Sequence, residues 1–102
     1  MHALTVTMQR REDLYVLVPV GEIDVDMRPI LDEAVSRLPD PVGAVRVDMA
    51  GVSFMDSGGI HFLVDLRRQV DQAGGNFTIS GLHGQPDRVV RLVGLQDYLG
   101  RR

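Results

Sequence analysis

The sequence has no cysteine, no lysine and no long apolar segment. Without cysteine the chain can form neither a disulfide nor a thiolate metal site. Without lysine it lacks the amine used in Schiff-base chemistry and in phosphate-binding P-loops. No apolar run approaches the ~20 residues that a membrane-spanning helix needs, and the first residues lack the basic and apolar segments of a signal peptide. We therefore expect a cytoplasmic protein without a membrane segment.

The chain is mildly acidic. Its formal net charge is -3, and its 11 basic residues, all arginines, are scattered rather than gathered in a stripe. Nucleic-acid backbones require a basic surface, so nucleic acid is not expected as a partner. The three histidines and the carboxylates show no metal-ligand spacing. The composition therefore favours protein partners, with no metal and no cofactor.

The length of 102 residues fits one globular domain spanning residues 1–102. Alternating apolar residues predict strands over four segments, residues 3–8, 13–20, 44–49 and 76–80. A charged turn at residues 9–12 should join the first two as a hairpin. Pro19 and Gly21 are expected to break the second strand, leaving a loop or a short strand at residues 21–24.

Helical spacing predicts helices at residues 27–38 and 58–73, and a third that starts at Pro86. Asp24 or Asp26 is expected to cap the first of them. Two apolar stripes should pack on the sheet: Ile30, Leu31, Ala34, Val35 and Leu38 in the first helix, and Val89, Val90, Leu92 and Val93 in the third.

Strands that alternate with helices after a hairpin indicate an α/β fold. We expect a single domain with a mostly parallel sheet of four to five strands, an antiparallel edge strand and helices packed against the sheet. Asp24 and the pair Asp56-Ser57 would then follow neighbouring strands at their carboxyl ends, where α/β proteins place functional surfaces. These residues are expected to share a surface.

Ser57 follows an apolar strand and stands at the predicted start of the second helix. Helix N-termini carry unpaired N–H groups and a partial positive charge, which would stabilise an added phosphate. Gly58 and Gly59 leave little bulk beside the hydroxyl. A structural alternative is that Ser57 only caps the helix, since serine is a favoured N-cap. A serine hydrolase is disfavoured because Gly-x-Ser-x-Gly is incomplete and no histidine has a convincing triad order, so we expect no enzyme.

The chain resembles the STAS domain family, specifically its anti-sigma factor antagonists. The resemblance rests on Gly21-Glu-Ile-Asp24, on the segment 45–59 that ends in Phe54-Met-Asp-Ser-Gly-Gly59, on Gly74-Gly75 and on Arg91-Leu-Val-Gly-Leu95. It implies a STAS-type fold over residues 1–102. It also implies that Ser57, directly after the aspartate, is the residue that a partner anti-sigma factor with serine kinase activity phosphorylates.

The same resemblance implies partner switching. The unphosphorylated protein, a monomer when free, would bind the anti-sigma factor and release a sigma factor, and a phosphatase would act on phosphorylated Ser57. The expected partner-binding residues are Asp24, Asp56, Ser57, Gly58, Gly59 and His61. The alternative is a STAS domain that binds a small ligand or serves as a scaffold subunit of a transporter or sensory complex.

Two positions depart from the family pattern. Gly58 stands where the family often has serine or alanine, and His61 stands where it commonly has glycine. A histidine adds volume, and a charge when protonated, to the face expected to meet the partner. We therefore expect His61 to influence partner choice or the lability of the phosphate.

Overall fold

The computed structural model describes residues 3–99, so residues 1, 2 and 100–102 of the predicted domain lie outside it. Five strands are present: β1 Leu4–Arg11, β2 Leu14–Ile23, β3 Ala44–Asp48, β4 Val52–Met55 and β5 Asn76–Ser80. A short 3-10 helix, Val25–Met27, precedes the three α-helices, which are α1 Arg28–Val35, α2 Ser57–Gln72 and α3 Gly84–Leu92.

The strands form one sheet in the order β1-β2-β3-β5, with β4 paired to β2 beside β3. β1 is antiparallel to β2, and every other pair is parallel. β3 pairs with the first half of β2 and β4 with its last residues, so the two short strands follow one another along the same edge. The expected mostly parallel α/β sheet with an antiparallel edge strand is confirmed.

β2 does not break where the sequence predicts. It continues through Pro19 and Gly21 to Ile23, and β1 also runs on to Arg11. The Gly21 N–H donates to the Gly51 carbonyl at 3.0 Å, so the nitrogen of Pro19, two residues earlier, points to the same edge. Pro19 lies between the segments of β2 that pair with β3 and β4, where no ladder donor is needed.

Gly21 has a positive φ inside β2, next to an irregularity in the pairing with β4. Its φ is +127°, and a Cβ there would lie 2.0 Å from the Ala3 carbonyl oxygen. Gly21 pairs with Val52 and Glu22 pairs with Phe54, so Ser53 is an extra residue in β4 and the register shifts there. Gly21, which was expected to break β2, therefore lies inside the strand, opposite a bulge in β4.

The helix bounds also differ from the expectation. α1 begins only after the 3-10 helix and ends at Val35, and α3 begins at Gly84, two residues before Pro86. Among the predicted core residues, Ile30 is 42% exposed, Leu92 is 85% exposed and Val93 is also exposed. These three were wrong because only the narrow stripe of each helix that faces the sheet is buried.

The core lies between the sheet and the helices. Ile23 and Met55 are fully buried at the carboxyl ends of β2 and β4, and α2 covers them with its apolar face. That face consists of Gly59, Ile60, Phe62, Leu63, Leu66 and Val70. In residues 3–99 no helix is both long and apolar enough to cross a membrane.

Candidate functional site

The carboxyl ends of β2 and β4 bring Asp24 and Asp56 together. Ile23 and Met55 are register partners in the parallel pair, and each is followed directly by one of the two aspartates. The Asp56 N–H donates to the Ile23 carbonyl at 3.1 Å, which extends the pairing by one residue. The expectation that these loops lie at one surface is therefore met.

Each aspartate starts a helix. Asp24 Oδ1 accepts from the Asp26 N–H at 2.9 Å and so caps the 3-10 helix, while α1 has no side-chain cap. Asp56 Oδ1 accepts from the Gly58 N–H at 2.7 Å and caps α2. The interpretation of Ser57 as the N-cap is wrong, because the aspartate before it has that position.

Ser57 is the first residue of α2 and is exposed. Its hydroxyl has no hydrogen-bond partner within the part of the chain that the structure describes. The helix N-terminus behind it favours negative charge. The hydroxyl is therefore free to receive a phosphate, and no structural hydrogen bond would be lost in the reaction.

Gly58 and Gly59 are needed for close packing beneath Ser57. A Cβ at Gly58 would lie 2.9 Å from Val25 Cα and 3.0 Å from Val25 N, so the 3-10 helix touches the start of α2 there. A Cβ at Gly59, which is buried, would lie 2.9 Å from Met55 Cβ. Gly58 thus allows the 3-10 helix to approach the start of α2, and Gly59 allows α2 to pack closely on Met55 at the end of β4.

His61 lies one turn after Ser57 and is also exposed. Its imidazole makes no hydrogen bond or ion pair with residues 3–99. By contrast, His83 Nε2 is 3.0 Å from the Ala50 carbonyl oxygen, and His2 lies outside the described residues. Of the two described histidines, His61 is the one with an unengaged ring next to the serine.

Gln85 in α3 supports the site in a way that sequence reasoning missed. Its Oε1 accepts from the Met55 N–H at 2.9 Å, and its Nε2 donates to the Met55 carbonyl at 2.9 Å. The side-chain amide thereby takes the place of a neighbouring strand on the free edge of β4. No local sequence pattern signals a pairing between residues thirty positions apart.

Val25 is a second residue that the sequence did not single out. It lies in the 3-10 helix between Asp24 and Asp26, and it is 59% exposed. Its backbone lies against Gly58, and an exposed apolar side chain between two aspartates has the character of an interface anchor. The signal in the sequence was a lone apolar residue between two aspartates in a loop.

Ion pairs join the helices beside the site. The guanidinium of Arg28 bonds Asp32 at 2.8 Å and Asp65 of α2 at 2.7 Å, and these hydrogen bonds raise the pKa of Arg28. Arg28 stays charged in any case, and its pair with Asp65 connects the start of α1 to α2, whereas its pair with Asp32 lies within α1. Within residues 3–99, no three or more histidine, aspartate or glutamate side chains come together in a way that could hold a metal ion.

Comparison with known proteins gives consistent relatives. Residues 5–101 match the STAS domain family. The anti-sigma-B factor antagonist of Bacillus subtilis is 31% identical over 91 residues, covering 89% of this chain and 83% of that protein. An anti-sigma factor antagonist from Mycobacterium paratuberculosis superposes with a TM-score of 0.86 at 23% identity, covering 97% of this chain and 85% of that one. The phosphorylated form of the Bacillus cell fate determinant SpoIIAA superposes with a TM-score of 0.67 at 18% identity, covering 96% of this chain and 91% of that one.

Proposed function

This chain belongs to the STAS domain family, and we propose that it is an anti-sigma factor antagonist that works by partner switching. Unphosphorylated, it binds an anti-sigma factor and so frees a sigma factor. That anti-sigma factor, acting as a serine kinase, phosphorylates Ser57 and ends the binding, and a phosphatase restores it. The protein is a substrate rather than an enzyme, and it acts in the cytoplasm as a monomer when free.

The observation that carries this proposal is the exposed, unpartnered Ser57 hydroxyl at the first position of α2. It stands on a surface shared by Asp24, Asp56 and Val25, which combines carboxylates with an exposed apolar side chain. Such a surface suits a protein partner, because apolar anchors supply binding energy and charges supply selectivity. The relatives named as anti-sigma factor antagonists support the kind of partner.

The free-energy cost of a phosphate at the interface is large enough to reverse the binding without a change of fold. A phosphate adds about -1.5 to -2 charges at neutral pH. Placed beside Asp56, it would have to be desolvated at the interface together with that carboxylate. Shifting a complex from nearly all bound to nearly all free needs about 5.5 kcal/mol. A poorly paired buried charge costs several kcal/mol, so most of the required difference comes from the phosphate itself.

Two measurements test the proposal. Incubation with the anti-sigma factor and ATP should add one phosphoryl group to the wild-type chain, read by intact mass, and none to Ser57→Ala. By calorimetry Ser57→Ala should bind the anti-sigma factor as tightly as the wild type. Ser57→Asp should bind at least about tenfold more weakly, which is about 1.4 kcal/mol. Equal affinities for the two variants would exclude the switch.

The alternative function, a small-ligand or scaffold domain, makes a different prediction in the same experiment. Ser57 would then remain unmodified by the anti-sigma factor, and neither substitution would change an affinity. The result of the mass measurement therefore decides between the two.

A further inference from the structure

His61 and Ser57 lie on the same exposed side of α2. Residues four apart on a helix are neighbours, with Cβ atoms about 5–6 Å apart. Both side chains are exposed, and neither has a partner in the described part of the chain. An imidazole thus stands within reach of any group that is attached to the serine oxygen.

We propose that His61 is the protein's own ligand for a phosphate on Ser57, an inference that rests on the proposed phosphorylation of that serine. The imidazolium donates a hydrogen bond to a phosphate oxygen and forms an ion pair with it across one helical turn. The order of the charges is the favourable one, since an anion that precedes a cation by four residues also agrees with the helix dipole.

Among the described residues of α1 and α2, the arginines are already paired or lie farther along the helix. The segment of α2 between Ser57 and Asp65 contains no arginine. Arg28 already bridges to Asp65 at 2.7 Å and to a second carboxylate at 2.8 Å. Arg68 lies about three turns beyond Ser57, and its guanidinium is 3.8 Å from Asp65. Of the described groups in α1 and α2 that can carry a positive charge, His61 is therefore the unpaired one nearest in sequence to Ser57.

The carboxylates around His61 are the same in both forms of the protein. Asp65 follows it by one turn on α2, and Asp56 precedes it at the helix N-cap. Asp24 and Asp26 belong to the packed 3-10 helix. β4, which packs beneath the helix start, carries no charged side chain. A difference between the two forms in the titration of His61 therefore reports the phosphate itself.

The pairing makes the phosphorylated state sensitive to pH. Histidine and the second ionisation of a phosphate monoester both titrate near pH 6 to 7. By linkage, the phosphate must raise the proton affinity of the imidazole by the factor by which the imidazolium lowers that of the phosphate. At the acid end of this range the protonated imidazole offsets part of the added charge and holds the phosphate against the helix.

The test uses the full chain with phosphoserine inserted at position 57 during translation, so that no kinase is needed. A pH titration followed by proton NMR should show the His61 midpoint about half a pH unit higher than in the unmodified chain, a threefold change. The midpoint of His83, which bonds Ala50, should not move. The ³¹P titration should shift upward by a similar amount when His61→Gln is introduced.

Unchanged His61 midpoints in the two forms, or a ³¹P titration that His61→Gln leaves unaltered, would overturn the inference. Ser57→Asp carries a smaller negative charge than phosphoserine, so it should raise the midpoint of the His61 titration by less. This variant gives a second measurement of the same effect without phosphoserine. Neither result depends on the kinase or on the anti-sigma factor. Failure here therefore leaves partner switching intact, whereas a chain that the anti-sigma factor does not phosphorylate removes the switch whatever His61 does.

Discussion

The side-chain amide of Gln85 makes both of the hydrogen bonds that a neighbouring strand would make to Met55, each at 2.9 Å. Met55 is fully buried and is the last residue of β4, two positions before Ser57. α3 therefore fixes the backbone from which the candidate site begins. Without this amide, an N–H and a carbonyl in the interior would lose their partners.

We expect Gln85→Ala to lower the free energy of unfolding by about 1–3 kcal/mol, since a buried group left unpaired costs that much. Chemical denaturation measures it, and local hydrogen exchange at the Met55 amide should accelerate by more than exchange elsewhere in the sheet. Gln9→Ala, an exposed glutamine on β1, is the control. A loss confined to the control, or equal in both variants, would contradict the pairing.

Gln85→Glu should make stability depend on pH in a defined direction. A protonated carboxyl can both donate and accept, as the amide does, whereas the ionised form cannot donate to the Met55 carbonyl. The folded state therefore raises the pKa of the introduced carboxyl above its unfolded value of about 4.3. Its stabilising contribution is complete below that value and is lost as pH rises through the folded pKa.

Chemical denaturation measures the free energy of unfolding of Gln85→Glu and of the wild type at about pH 4 and pH 7. The difference between the two proteins at each pH removes the contributions of the chain's other titratable groups. The gap between the two proteins should be about 1–3 kcal/mol wider at the higher pH. Gln9→Glu should show no comparable change. A gap that narrows with rising pH would show that the side chain does not bond the Met55 backbone.

Gly58→Ala should destabilise the protein, because its new methyl group would lie 2.9 Å from Val25 Cα and 3.0 Å from Asp56 Oδ1. The backbone of the 3-10 helix must move, and overpacking of this kind costs about 1–3 kcal/mol. Gly43→Ala is the matched control, since no atom lies within 4 Å of its Cβ position. A thermal melt that ranks Gly43→Ala as the more damaging change would contradict the close approach of the two loops.

Leu63→Ala and Leu92→Ala test the buried faces of the helices. Leu63 is 0% exposed in the core, so its truncation should cost about 2–5 kcal/mol. Leu92 is 85% exposed at the end of α3, and its truncation should stay within about 0.5 kcal/mol. Denaturant midpoints of the two variants measure the contrast, and similar losses would mean that the end of α3 is covered in solution.

The candidate site could be predicted from the sequence more fully than the pairing along the edges of the strands. Asp24 and Asp56 could be placed together because each follows an apolar run and because parallel strands end at a common edge. Pro19 and Gly21 misled the strand prediction, since local propensity does not show that β2 has an unpaired stretch there. Which edge a strand presents is decided by its neighbours in space.

The helix faces show the same limit. Val89, Val90, Leu92 and Val93 span an arc of about 160° at about 100° per residue, which is wider than the part of the helix that the sheet covers, so the pattern cannot say which of them faces β4. Only Val90 is fully buried. The amide of Gln85 was invisible for a related reason: a polar residue in a helix usually faces solvent, and its bond to a strand thirty residues away depends on tertiary packing.

Val25→Ala should weaken binding to the anti-sigma factor without affecting the fold. Val25 is 59% exposed beside Asp24 and the start of α2, so truncation costs little in the free protein but removes an apolar contact from the proposed interface. We expect an affinity loss of about tenfold by calorimetry, or about 1–2 kcal/mol. Val93→Ala, which truncates an exposed valine at the end of α3, should bind like the wild type. If Val93→Ala weakened binding and Val25→Ala did not, the partner would dock on α3 and not at the serine, and phosphorylation could not exclude it by direct repulsion.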